Sequence, residues 1–446
     1  MPKFKLENSP QSYGQPQPQQ APAGPRQQPR IEMNIVNLNI PNLPLGTPPG
    51  IPQCPAVNRV RKDFTPPPLA MPGADLERAI NYYADYGGCG YWRMIWPEAL
   101  LNGNQKAIIN GLTTMVLDER FYHGQKAVRL QRQATPMQLE FVKFLKNANT
   151  HHQLDFKVIY EIDDIIFKDD IPDFNRCKVA FEDPKIVQSV LSMMQLSDEI
   201  TVTCDYMKQY YKDKTGNKNI TVIPNYPPRF WADGFYDRKE LARRFDKTKK
   251  KPRVGYCGSG THIDVVNKTN QQDDFGHVVQ HIIKTRKDFQ WVMMGCFPLP
   301  LKPFIDSGEI EYVDWAGIWQ YPKAMNDLKL NAVVAPLKDC HFNRAKSNIK
   351  YLEAACQGVP GIFQDICTYN AAPLRFTTGN DMVDQLKMLL GDKNTYMKYS
   401  DKARKYADTM WLDDHLDEYL EMYYKPYGDP SRKALIANNP DQKIIV

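Results

Sequence analysis

NAVVAPLKDCHFNRAKSNIKYLEAACQGVPGIF, residues 331–363, carries the periodicities from which the fold is read. NAVVAPL is a short, apolar, β-branched run and reads as a buried strand ending at Leu337. Ile349, Leu352 and Cys356 then recur at the spacing of one apolar helix face, and GVPGIF reads as a second buried strand. Strands alternating with helices of this length imply a parallel sheet, and such a sheet needs helices on both of its faces.

The alternation continues upstream. RVGYCGS (253–259), FQWVMMG (289–295) and EIEYV (309–313) read as strands, with a helix at FGHVVQHIIKTRK (275–287). A first run of the same kind has strands at AVRLQR (127–132), FKVIYEI (156–162), EITVTC (199–204) and ITVIPN (220–225). Its helices are WRMIWPEALLN (92–102), TPMQLEFVKFLKNA (135–148), PKIVQSVLSMMQL (184–196) and DYMKQYYKDK (205–214). The expected fold class is therefore α/β, with two Rossmann-like doubly wound domains facing a cleft.

The expected organisation is a first Rossmann-like domain over 76–228, a basic connector over 229–252, a second Rossmann-like domain over 253–408 and a closing segment over 409–446. In that last segment Leu412, Leu416, Tyr419, Leu420 and Tyr423 form an apolar stripe, so the helix is expected to cross back onto the first domain. Residues 1–75 form a Pro/Gln-rich tail, with 17 of the 35 prolines in the first 72 residues. Such composition buries too little apolar surface to offset ordering and is expected to be disordered or extended. IEMNIVNLNI (31–40) inside it is suited to pairing as a strand, with this chain or with a protein partner.

A net charge of +6 permits an acidic partner without demanding one. The nine cysteines include no CxxC pair, which argues for reduced thiols and against a zinc site or a disulfide scaffold. No run approaches the roughly 18 apolar residues of a membrane span. MPKFKLENSPQSYG lacks the apolar core of a signal peptide, so a cytoplasmic protein is expected.

The stretch that decides the fold also suggests chemistry. His341, Arg344 and Lys346 precede a helix start that Ser347 is placed to cap, and free backbone N–H groups beside cations suit a phosphate. Glu353, further along the helix, is an acceptor-only group suited to the hydroxyls of a ribose; the plainer reading is an i, i+3 pair with Lys350. GYCGSGTH keeps a strand-to-helix turn open at Gly255, Gly258 and Gly260, so that the Ser259 and Thr261 amides can approach a phosphate, with His262 near a reacting sugar. Asp163 and Asp164 end a buried strand, where they could orient an acceptor hydroxyl or take its proton; DD rather than DxD disfavours a metal. Arg93, after GGCGYW, could reach across the cleft to a diphosphate or simply lie on a helix surface. The connector carries eight Lys or Arg against two acids over 238–251, enough to lie along an acidic polymer or simply to be a solvated linker.

KSNIKYLEAACQGVPGI, VIPNYPP (222–228), VGYCGSGTHIDVV (254–266), GGCGYWRMIWPEAL (87–100) and the strand ends LQR and VIYEIDDIIF together resemble the retaining GT-B glycosyltransferases, family 4-like, over roughly residues 80 to 425. YEIDDIIF with AKSNIKYLE is similar to the variety encoded by large tailed phages. The resemblance implies transfer of a hexosyl or pentosyl group from a nucleotide-diphosphate sugar, most often a UDP-sugar, with retention. It implies no tightly bound cofactor and no essential divalent metal. The implied donor residues are Arg93, Gly258, Ser259, Thr261, Arg344, Lys346, Ser347, Asn348, Lys350 and Glu353, with Asp163, Asp164, His262 and Lys346 at the reacting groups.

For a phage enzyme the acceptor would be hydroxymethylcytosine in DNA. Tyr91, Trp92 or Trp231 would then receive the extruded base, and Arg243, Arg244, Lys249 and Lys250 would lie on phosphates. A glycan or protein acceptor is the alternative. One departure stands out, Ala345 where the family often has a first glutamate, and it keeps open a non-catalytic binding or structural protein of the same fold. A NAD-dependent oxidoreductase is disfavoured by the imperfect glycine fingerprint.

Overall fold

The computed structural model describes residues 76–151, 154–264 and 273–429. The expectations made for residues 1–75 and for the end of the chain from 430 lie outside the described residues. Within them stand two six-stranded sheets, each wholly parallel. The first comprises β1 (Arg78–Tyr82), β2 (Ile108–Leu112), β3 (Ala127–Gln131), β4 (Lys157–Glu161), β5 (Glu199–Val202) and β6 (Ile220–Val222), in the order β2-β1-β3-β4-β5-β6. The second comprises β7 (Arg253–Cys257), β8 (Gln290–Met294), β9 (Glu311–Val313), β10 (Ala332–Ala335), β11 (Gly361–Gln364) and β12 (Arg375–Phe376), in the order β12-β11-β10-β7-β8-β9.

Strand order reverses between β1 and β3 in one sheet and between β7 and β10 in the other. Crevices open at such points beyond the carboxyl ends of the strands. The loops after β1 and β3 flank the first crevice; the glycine loop after β7 and residues 336–348 after β10 flank the second.

Three strands escape the sequence patterns: β1, β2 and the two-residue β12. In β1 the buried Asn81 interrupts the apolar run. It is tolerated because its amide donates to Glu98 at 2.9 Å and its carbonyl accepts from Tyr423 at 2.7 Å. β2 contains Asn110 and Gly111 and lies at a sheet edge.

The connector proves to be mostly helix, Arg238–Thr248, capped by Asp237. Leu241 and Phe245 are buried in the second half, Phe245 lying 4.9 Å from the Tyr396 ring. Arg244 is buried and donates to the Leu330 carbonyl at 3.0 Å. Just beyond the helix, Arg253 begins β7, so Lys249 and Lys250 lie at the amino-terminal edge of the second sheet, away from its crevice.

The final helix, Leu416–Tyr424, lies against the first sheet's elements. Lys106 pairs with Asp417 at 2.8 Å, and Lys157 donates to the carbonyls of Met422 and Lys425. Tyr226 donates to Glu418 at 2.8 Å and stacks on His415 at 4.0 Å. The eight described cysteines are all free. No described helix is long and apolar enough to cross a membrane.

Candidate functional site

Glu353 sits three residues beyond Lys350 on the helix Ile349–Cys356 and is half-buried. Tyr321 donates to its Oε2 at 2.9 Å. Burial pushes its pKa up to about 7, against the opposing pull of Lys350 and of the Tyr321 hydrogen bond. Trp315, 56% exposed after β9, has its ring 6.0 Å from that of Tyr321. A carboxylate and an exposed aromatic face are thus joined through one tyrosine, a pairing that suits a ribose with its base.

Lys350 turns away from Glu353. Its ammonium donates to the Cys257 carbonyl at 2.9 Å and lies 4.9 Å from the centre of the Tyr256 ring. This packing explains Gly258: a Cβ there would fall 2.4 Å from the Tyr256 hydroxyl and 2.6 Å from the Lys350 nitrogen. The glycine loop is further tied by Ser259 to Thr261 at 2.8 Å and by Cys296 donating to the Ser259 carbonyl at 3.1 Å.

Ser347 does not cap the helix. Asn348 occupies that position without a side-chain bond to the backbone, and its amide donates to Tyr406 at 2.7 Å. The Ser347 hydroxyl instead accepts from Asn225 of the other half at 2.9 Å. The helix start therefore keeps its dipole end free of any side-chain cap.

Lys346 reaches across the cleft to Asp164 at 2.9 Å. Burial works against its charge, but the Asp164 carboxylate holds its pKa above the ordinary lysine value. Asp163 and Asp164 share Arg132, at 3.4 and 4.0 Å, and Arg132 also pairs with Asp85 at 2.5 Å. Asp85 in turn accepts from the amides of Gly87 and Gly90. Gly90 is required there, since a Cβ would lie 2.0 Å from the Asp85 carbonyl oxygen. Cys89 joins the two aspartates to make three donor atoms within 4.8 Å. Two cations already face this cluster, so it is not an open anionic cradle of the kind a divalent ion prefers.

His262 is buried, with Nδ1 2.7 Å from Asp274, and burial lowers its pKa. Asp274, fully enclosed, also accepts from the Lys338 amide at 2.8 Å and from Asn343 at 2.7 Å. One carboxylate thereby ties the loop after β7 to the loop after β10.

Several expected site residues lie elsewhere. Arg93 neither crosses the cleft nor meets solvent; it is fully enclosed, paired with Glu161 at 2.6 Å and donating to the Ile223 carbonyl and to Asn225. Its reach is indirect, through Asn225 to Ser347. Arg344 is held bidentately by Asp339 at 2.6 and 2.8 Å, and His341 by Tyr206, which leaves Lys346 as the cation of that loop aimed at the cleft. Trp92 and Trp231 pack on each other and on Trp96 in the core and cannot receive a base. Tyr91 stands at the cleft, accepting from Trp319 at 3.0 Å. Arg244 is buried, Arg243 pairs with Glu240, and with Lys249 and Lys250 they lie away from both crevices. Arg132, Asn225, Asp274 and Tyr321 escaped the sequence reading because each acts through a partner distant in the chain, and Asp85 and Trp315 because their place beside the site depends on those residues.

No family model matches the chain, and no curated protein matches it in sequence. Solved structures resemble it. Crystal structures of Anabaena Alr3699/HepE in complex with UDP-glucose, with UDP and glucose, and with UDP each superpose at a TM-score of 0.51, covering 78% of this chain. They are matched over 100, 99 and 100% of their own length, at 9, 8 and 8% identity. The chain has a GT-B-like fold. At such identity the likeness is one of fold alone; within this GT-B-like fold the crevice of the second sheet holds Glu353, Lys350 and the glycine loop, and that of the first holds Asp163 and Asp164.

Proposed function

We propose that the protein is a glycosyltransferase that moves a sugar from a nucleoside diphosphate sugar to an acceptor hydroxyl, with retention. The observation that carries this is the joining of Glu353, Tyr321 and Trp315 on the crevice side where the uncapped helix start, Lys346 and the glycine loop also stand. Glu353 takes the ribose hydroxyls, Trp315 lies against the base, and the loop amides with Lys346 take the diphosphate. Developing charge on the leaving phosphate is stabilised by these preorganised donors, and that phosphate draws the proton from the acceptor on the same face. His262, held neutral and oriented by Asp274, presents an imidazole beside the donor sugar. Asp163 and Asp164, fixed by Arg132, orient the acceptor hydroxyl.

The acceptor is a hydroxyl-rich glycan in this reading rather than hydroxymethylcytosine in DNA. The basic residues 243–250 lie away from the acceptor crevice, and Trp92 and Trp231 are enclosed in the core, so neither the phosphate contacts nor the base platform expected for DNA stands beside it. Mass spectrometry after incubation with UDP-, GDP- and ADP-sugars, with glycans and with hydroxymethylated duplex as acceptors, tests both levels. Donor consumption with a mass increment on a glycan supports the reading. An increment on DNA alone overturns the acceptor class, and an unconsumed donor panel overturns the enzyme class.

A further inference from the structure

We infer that Arg176, supplied by the first half of the chain, is the cation that closes over the donor's diphosphate from across the cleft; this rests on the donor reading above. Arg176 opens a short helical turn, Arg176–Phe181, rooted in the core by its neighbours. Asn175 is 2% exposed and its side chain accepts from the Cys177 amide at 2.9 Å, while Ile171 and Phe174 are buried. The base of the turn is thus fixed while the guanidinium projects from it, exposed.

It projects onto the glycine loop of the other half. A Cβ placed on Gly260 would lie 3.7 Å from the Arg176 Cζ and 3.8 Å from both Nη1 and Nη2. Near-equal distances to the three atoms mean that the guanidinium plane lies face-on over Gly260. A guanidinium stacked this way has its five N–H groups spread around its rim, free for oxygens beside the loop rather than consumed by it. Among the described residues Arg176 forms no ion pair, whereas Arg93, Arg129, Arg132 and Arg344 are each held by a carboxylate.

The loop brings Ser259 and Thr261 hydroxyls and the end of β7, with Lys350 crowding Gly258 from within. Lys350 is turned to the Cys257 carbonyl and Lys346 to Asp164, so a diphosphate at the loop meets two cations on its inner side that already have partners. Arg176 supplies the outer one, and its planar fork matches two phosphate oxygens at once. Because it comes from the opposite half, its place over Gly260 spans the cleft from one side to the other.

The test compares the full-length protein with Arg176→Ala and Arg176→Lys, using calorimetry with UDP, GDP, ADP and CDP and with the matching monophosphates, after thermal unfolding has confirmed an unchanged fold. For the diphosphate that the wild type binds best, Arg176→Ala is expected to weaken affinity about tenfold or more, with Arg176→Lys recovering only part. The monophosphate, which lacks the outer phosphate, is expected to lose less than about twofold. Equal affinities of wild type and Arg176→Ala for the diphosphate overturn the proposal while leaving the donor reading standing. Equal losses for diphosphate and monophosphate also overturn it, as a general disturbance of the cleft. Failure of the wild type to bind any of the nucleotides overturns the donor reading and this proposal together.

Discussion

Glu353 and Glu98 both hold their protons to about pH 7, because each carboxyl is withdrawn from water. In the unfolded chain each releases its proton near the ordinary 4.5. The folded state therefore binds more protons across that window, and stability is greatest below it and falls as pH rises through it. Glu98→Gln, which keeps the Tyr83 and Asn81 neighbours, should flatten this fall in denaturant titrations between pH 4.5 and 7; an unchanged slope would show that Glu98 ionises normally. Nucleotide affinity should run the other way, rising with pH through about 7 as Glu353 becomes the carboxylate that ribose hydroxyls require. Glu161 is the opposite case. Burial disfavours its charge, but Arg93 and Arg129 hold its pKa below the ordinary value. Glu161→Ala strands two enclosed guanidinium groups and should cost about 3–5 kcal/mol of unfolding free energy. A loss under about 1 kcal/mol would mean that those arginines find other partners.

At the scale of elements, the helix Leu416–Tyr424 closes the first sheet from outside its own stretch of sequence. Tyr419 and Tyr423 lie 5.9 Å over the buried Arg129, and Tyr423 completes the Asn81–Glu98 network. Tyr423→Phe should cost about 1–3 kcal/mol, since it leaves the Asn81 carbonyl unsatisfied in the core. Truncation before Trp411 should lower the melting temperature far more, by uncovering Arg129 and Tyr226; equal melting temperatures for Tyr423→Phe and the truncation would contradict that role. Elements of this kind mark how far the sequence could be read. Apolar runs such as NAVVAPL and FQWVMMG announce themselves, because a strand buried on both faces needs near-continuous apolar residues. β1 did not, because Asn81 is paid for by partners 17 and 342 positions away. The helix Arg238–Thr248 was hidden by its charge, since only Leu241 and Phe245 supply buried apolar side chains and the third buried residue is Arg244. In the site, Glu353 and Lys346 were legible from one helix and its preceding loop. Tyr321, Trp315, Asp274 and Arg132 were not, because nothing local says which strand end they will meet.

For the whole molecule, the polar contacts by which the two sheets' loops meet include Lys346 to Asp164, Asn225 to Ser347, Tyr206 to His341 and Trp319 to Tyr91. In the proposed function the first of these sets donor binding against a cleft contact, because a diphosphate would need the ammonium that Asp164 holds. Asp164→Asn should tighten nucleoside diphosphate binding by about two- to fivefold, the modest worth of a partly exposed ion pair, while slowing transfer. Weaker binding in that variant would mean that Asp164 positions Lys346 for the phosphate instead of competing for it. The central claim is narrower still: the second sheet's crevice holds a nucleotide through Glu353. Calorimetry of UDP, GDP, ADP and CDP with wild type and Glu353→Ala measures it directly. Binding by the wild type with a loss of about 1–3 kcal/mol in the variant is the predicted result; wild-type binding that Glu353→Ala leaves unchanged, or no binding by either protein, would contradict it.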